Sequence, residues 1–329
     1  MLIPVLLFAL GLVLLIKGGD WFVDGATGIA HRFHIPELLI GATVVSIGTT
    51  LPEVMVSATS AVSGHGEIAY GNAIGSIICN TALIAALTVA IKPAAVGRRA
   101  LVTPIIFFFS AAAIYVTVAY TAGFFGRVIG FILLVIFAVY MGICIYTACK
   151  TPATEGVPEV AEAEKEQGKA SRFGIWKELF FLVLGAALIA VGADLLVDNG
   201  TIIAEKMGVP EAVIALTFVA LGTSLPELVT AITSLAKGHG ALSLGNIIGA
   251  NLFNLVLVSG VSVALSPFAI PDGNKIAGIP SSLVIDIPVM LTVMGLLTVP
   301  ALIRGKLSRW QGILLLGIYA AFCVVQFTM

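Results

Sequence analysis

Residues 40–80, IGATVVSIGTTLPEVMVSATSAVSGHGEIAYGNAIGSIICN, return at 214–254 as IALTFVALGTSLPELVTAITSLAKGHGALSLGNIIGANLFN, and each copy sets one glutamate, Glu53 or Glu227, inside an apolar stretch. Aligned without a gap at an offset of 174, the copies agree at 18 of 41 positions. The agreement falls on Gly, Pro, Thr, Glu and Asn rather than on interchangeable aliphatics, so duplication explains it better than shared hydrophobicity.

Around this pair the chain is 59% hydrophobic and 11% charged over 329 residues, with a mean hydropathy of +1.10. That leaves too little polar surface to cover a water-soluble globule. The expectation is an all-α integral membrane protein. Apolar runs near the length of about 20 residues needed to span lie at 2–26, 36–62, 68–91, 100–120, 127–149, 175–198, 211–236, 241–265, 281–302 and 309–328. They are continuously apolar and lack the alternation of a membrane β-barrel. The first run has no basic residue before it and aligns with the sixth, Gly18, Asp20, Asp24 and Thr27 recurring as Gly192, Asp194, Asp198 and Thr201; it is read as a retained helix and not a secretion signal. Cys79, Cys144, Cys149 and Cys323 show no metal-like spacing and are expected to be small buried hydrophobes.

The long polar stretch at 150–174 is rich in Ala, Glu, Lys and Pro and reads as a cytoplasmic linker. It divides the chain into a five-helix repeat at 1–149, containing 40–80, and a second at 175–329, containing 214–254. Because five is odd, the second repeat enters the membrane from the opposite side, the inverted layout common in secondary transporters. With the N-terminus outside, 14 of the 17 Lys and Arg residues fall in inner loops and only Arg127, Lys206 and Lys275 fall outside. The positive-inside rule then places both termini externally.

Pro52 lacks the N–H that would bond the carbonyl of Gly48, and Pro226 does the same to Gly222, so each copy is expected to contain a broken helix with a free carbonyl beside its carboxylate. Thr49 and Glu53, four residues apart, share a helix face, as do Thr223 and Glu227. Asn72, Ser76 and Asn80 form a polar stripe on the next helix, and Asn246, Ala250 and Asn254 form its counterpart. Gly71, Gly75, Gly245 and Gly249 are expected to let helices approach closely. Oxygen donors without His or Cys suit hard cations, calcium before magnesium, and two glutamates balance one divalent ion. A lone intramembrane glutamate can be a structural hydrogen-bond partner. Two GT-x-LPE segments in inverted halves point instead to function.

Other polar groups read as structural. Asp20, Asp24, Asp194 and Asp198 are expected to be hydrated near helix ends, and Glu37 and Glu211 to sit at helix starts. His65 and His239 lie in repeated Gly-His-Gly turns read as surface turns. Asp286 has no assigned role, and the difference between Ile77 and Asn251 reads as packing.

GTTLPE and GTSLPE, each followed by GNAIGS or GNIIGA, resemble the two α-repeats of the sodium/calcium exchanger branch of the cation/calcium antiporter superfamily, in its short prokaryotic form. The resemblance implies a site built from Thr49, Thr50, Glu53, Ser76 and Asn80 with Thr223, Ser224 and Glu227, plus the backbone carbonyls of Ser46 and Ala220. Asn254 stands as the counterpart of Asn80. It also implies that calcium and sodium occupy overlapping sites, and that the first and sixth helices slide against the rest to give alternating access. Two departures stand out. Ala250 replaces the hydroxyl of Ser76, and Asn254 stands where several exchangers carry Asp, which argues against potassium cotransport.

The expected function is calcium/sodium antiport, with calcium/proton antiport as the alternative and a cation channel less favoured. An intramembrane protease ranks last, because Lys17-Gly18-Gly19-Asp20 only loosely resembles an aspartyl-protease motif. No enzymatic activity, cofactor, nucleic acid or obligate protein partner is expected. The partners are calcium, sodium and membrane lipid, and the location is a prokaryotic inner membrane.

Overall fold

A computed structural model of the chain describes residues 2–93, 98–150, 173–207, 222–273 and 275–328. These residues form ten helices: α1 (Leu2–Arg32), α2 (Glu37–Val62), α3 (Gly66–Ile91), α4 (Arg98–Thr121), α5 (Arg127–Lys150), α6 (Phe173–Lys206), α7 (Leu225–Ala236), α8 (Gly240–Leu265), α9 (Ser282–Arg304) and α10 (Arg309–Thr328). Nine of them are long and apolar enough to cross a membrane, and α7 is the shorter one among the described residues. This is the all-α membrane fold the apolar runs demanded. Most of the linker and the first part of the seventh run, including Glu211 and Ala220, lie outside the described residues.

α1 and α6 run to 31 and 34 residues, past the charges where the apolar runs end. Within α1 the Thr27 hydroxyl donates back to the Val23 carbonyl at 2.8 Å. His31 and Arg32 then occupy its last turn, where cations suit the negative end of the helix dipole.

Contacts divide the chain into two compact units, each drawing segments from both halves: Met1–Gly48 with Met141–Asn246, and Thr49–Tyr140 with Ile247–Met329. In the first unit α1 lies along α6. Glycines seven residues apart make the seam: a Cβ at Gly11 would stand 2.8 Å from the Gly192 carbonyl oxygen, and one at Gly18 would stand 2.9 Å from that of Gly185. Only hydrogen at those positions permits this approach. Leu15, Phe22, Val23, Ile189 and Leu242 fill the surrounding core.

The second unit packs α3 against the middle of α8 and against α9. Its rings interlock, with Tyr115 stacked on Phe125 at 4.4 Å and Phe253 edge-on to Phe137 at 5.1 Å. Asn251 donates to the Thr81 hydroxyl at 2.7 Å, which is the packing role expected for it. Strand β1 (Phe124–Phe125) pairs with β2 (Phe268–Ala269), and β3 (Lys275–Ile276) with β4 (Ile279–Pro280), both antiparallel.

Two expectations about helix geometry fail. Gly71 and Gly75 have no neighbour within 4 Å of an added Cβ, so they make no close helix contact; Gly245 does, lying 3.0 Å from Leu38 Cα on the same measure. The first-copy helix is also unbroken, since Ser46–Val62 continues through Pro52. One absent N–H removes a single rung, and the neighbours of a well-packed segment hold the rest. The irregularity sits one turn earlier, as a π-helical turn at Gly41–Val45.

Candidate functional site

In the second unit Glu53 is fully buried on α2, one turn after Thr49 and beside the buried Thr50. The Asn72 side chain donates to the Glu53 carbonyl at 3.2 Å and to the Ser57 hydroxyl at 2.8 Å, tying α3 to the carboxylate-bearing turn. Further along α3, Ser76 and Asn80 are buried. Asn80 opens a π-helical turn, Asn80–Ala85, and Asn254 opens another, Asn254–Val258, on α8. Such turns widen the helix and displace carbonyls from the regular ladder, and they occur often at functional sites. The Thr50 hydroxyl and both polar atoms of the Asn80 and Asn254 amides are buried without a hydrogen-bond partner. Buried polar atoms left so require an explanation, and a cation supplies one for the oxygens.

In the first unit the chain turns at Gly222–Ser224 before α7 begins. Pro226 falls in the first helical turn, where its missing N–H costs nothing. The expected open carbonyl at Gly222 is not found, because the Leu225 amide bonds it at 3.3 Å. Glu227 is fully buried in that first turn, where the positive end of the helix favours a carboxylate. Ser224 is buried and Thr223 half-buried. Thr230 and Ser234, also buried, continue the Glu227 face, and the hydroxyls of Ser224, Thr230 and Ser234 have no partner. Sequence reading missed Thr230 and Ser234, although their spacing of three and seven residues from Glu227 marks one helix face.

Ser46, expected to act through its backbone carbonyl, has its hydroxyl 2.8 Å from the Gly41 carbonyl and 2.9 Å from that of Asn246. Ala220 cannot be placed, since it lies outside the described residues. The structure thus gathers Thr49, Thr50, Glu53, Ser76, Asn80 and Asn254 in one unit, and Ser46, Thr223, Ser224 and Glu227 in the other. Among the described residues no three of His, Cys, Asp and Glu group as a metal site, so a cation held by these donors would need hydroxyl, amide and carbonyl oxygens besides the glutamates.

The charged residues at the ends of the first unit also differ from expectation. Asp24 is not simply hydrated: its carboxylate meets the Lys237 ammonium at 2.7 Å, and Asp20 lies 3.5 Å from the same group. Asp194 and Asp198 are exposed on α6. The two Gly-His-Gly turns share a left-handed glycine, Gly64 at φ 88° and Gly238 at φ 90°. Yet only His239 reaches another helix, with Nδ1 2.8 Å from the Glu37 carboxylate. That hydrogen bond and the negative charge of Glu37 hold the His239 imidazole above its usual pKa, against the opposing effect of burial.

Comparison with known proteins agrees with this architecture. The family model described as "Sodium/calcium exchanger protein" matches residues 3–146 and 177–328. The sodium/calcium exchanger MaX1 of Methanosarcina acetivorans is 31% identical, over 98% of both chains. The inner membrane protein YrbG of Escherichia coli is 33% identical over 81% of each. A solved structure of the sodium-calcium exchanger NCX_Mj, soaked with sodium and strontium, superposes with a TM-score of 0.80 at 30% identity, covering 98% of both chains.

Proposed function

Because this chain belongs to the sodium/calcium exchanger protein family, we propose that it is a secondary active antiporter that carries calcium against sodium by alternating access. Family membership sets aside the channel and protease readings. The observation that carries the proposal is the pair of fully buried glutamates, Glu53 and Glu227, 174 residues apart in duplicated segments. A charge buried at membrane depth is expensive and marks function by default. Around each one stand buried hydroxyls or amides without protein partners.

Thr49, Thr50, Glu53, Ser76, Asn80 and Asn254, with Ser46, Ala220, Thr223, Ser224 and Glu227, are proposed to supply the ligands. Each calcium carried requires both carboxylates, whose joint charge of −2 it neutralises. Once calcium leaves, sodium is proposed to take its place for the return step. The names of the relatives support sodium over protons as the counter-ion.

The two family-matched stretches on either side of residues 147–176 support a division into five-helix repeats at 1–149 and 175–329 joined by a linker. The distribution of Lys and Arg supports external termini, and the likeness to an inner membrane protein supports a cell-membrane location. Proteoliposomes loaded with sodium test the coupling. Calcium uptake should follow an outward sodium gradient and stay at background when a pH gradient replaces it. Equal uptake driven by the pH gradient alone would overturn sodium coupling.

A further inference from the structure

Glu227 shares its face of α7 with two hydroxyls, Thr230 three residues on and Ser234 seven. The resulting polar stripe is about 10 Å long at 1.5 Å of rise per residue. It runs from the carboxylate towards the Lys237–Gly238 turn that ends the helix. Both hydroxyl-bearing residues are 0% exposed, and neither hydroxyl has a hydrogen-bond partner.

That is not how this chain treats its other helical hydroxyls. A buried Ser or Thr on a helix commonly donates back to the carbonyl four residues earlier. Thr43 does so to Leu39 at 2.7 Å, Thr81 to Ile77 at 2.7 Å, Ser262 to Val258 at 2.8 Å and Thr298 to Met294 at 2.6 Å. Thr230 and Ser234 make no such bond, so a buried oxygen on each is left for another donor or a cation to satisfy. The first copy has no equivalent stripe, since Val56, 39% exposed, stands at the position of Thr230. Charge does not close the far end. Lys237 is paired with Asp24 at 2.7 Å, and His239 meets Glu37 at 2.8 Å.

Oxygens without charge hold a hard cation loosely, which suits a position an ion must both enter and leave. Calcium calls for carboxylates, whereas a monovalent ion costs less to hold on neutral donors. We propose that Thr230 and Ser234 form a sodium-holding step between Glu227 and the end of α7, which is the inner end in the proposed orientation. This rests on the antiport reading and assigns the two hydroxyls a place in it: sodium pauses on them, and calcium does not.

Sodium-dependent release of preloaded calcium tests this, run in inside-out and right-side-out membrane vesicles so that sodium meets one face at a time. Thr230→Val and Ser234→Ala should each raise the apparent KM for sodium at the inner face about threefold to tenfold. The outer-face value, and the KM for calcium at either face, should stay as in wild type. Thr230→Ser, which restores the oxygen, should recover the wild-type value. Should Thr230→Val release no calcium at all, Ser234→Ala, which removes only an oxygen, decides. An unchanged sodium KM at the inner face, an equal rise at both faces, an equal rise for calcium, or a Thr230→Ser as impaired as Thr230→Val would overturn the proposal. Wild-type release that ignores sodium would instead overturn the antiport reading beneath it.

Discussion

The two copies of the duplicated segment keep their carboxylates and terminal asparagines but not their supports. Ser46, Ser57 and Ser76 of the first copy align in sequence with Ala220, Ala231 and Ala250 of the second. Asn72 is bound to the Glu53 turn and to Ser57, whereas its counterpart Asn246 accepts from Ser46. The second copy has gained Thr230 where the first has Val56, and Asn251 where the first has Ile77. What stayed the same in both copies includes Glu53 with Glu227 and Asn80 with Asn254, the residues proposed to hold the ion. What drifted apart is hydrogen bonding that holds helices, which can be rebuilt in many ways.

That division can be broken by substitution. Beyond the two glutamates, the largest effects are expected at the shared asparagines. Asn80→Ala and Asn254→Ala should each lower apparent calcium affinity roughly tenfold to a hundredfold, the worth of about 1.5–3 kcal/mol for a hydrogen-bonding group lost from a charged partner. A silent Asn254→Ala, measured by calcium-dependent uptake, would mean that the second copy does not contribute as the first does. Smaller is Ser57→Ala, which removes one acceptor of the Asn72 amide and should cost about 1 kcal/mol of stability in a thermal melt.

The smallest effect separates the two Gly-His-Gly turns. The bond between His239 and Glu37 raises the folded-state pKa of His239. Its stabilisation is therefore complete below the ordinary histidine value and is lost as pH rises through the raised one. His239→Gln should lower the unfolding midpoint more at pH 6 than at pH 9, by less than about 1 kcal/mol for a partly solvated pair. His65→Gln should cost less stability than His239→Gln at pH 6, since the His65 pair, with Glu67 at 3.4 Å, is exposed. Equal losses in the two variants at pH 6 would contradict this difference.

Much of this was legible in the sequence, because spanning helices announce themselves as uninterrupted apolar runs and a buried carboxylate in such a run has few explanations. Gly240–Leu265, for example, begins one residue from its expected start. The misses share a cause. Pro52 inside an intact helix, the π-helical turns opening at Asn80 and Asn254, and the pairing of Asp24 with Lys237 depend on what packs beside each segment, and one-dimensional periodicity carries none of that. The open space at Gly71 was missed likewise, since a glycine reads the same whether a helix or a cavity adjoins it.

The most direct test of the duplicated site is sodium-driven calcium uptake into proteoliposomes by wild type, Glu53→Gln and Glu227→Gln. Each variant alone should reduce uptake to background while remaining folded, because the proposed function has each calcium bind both carboxylates. Wild-type uptake in either variant would contradict the claim that the two repeats contribute equivalent halves of one ion site.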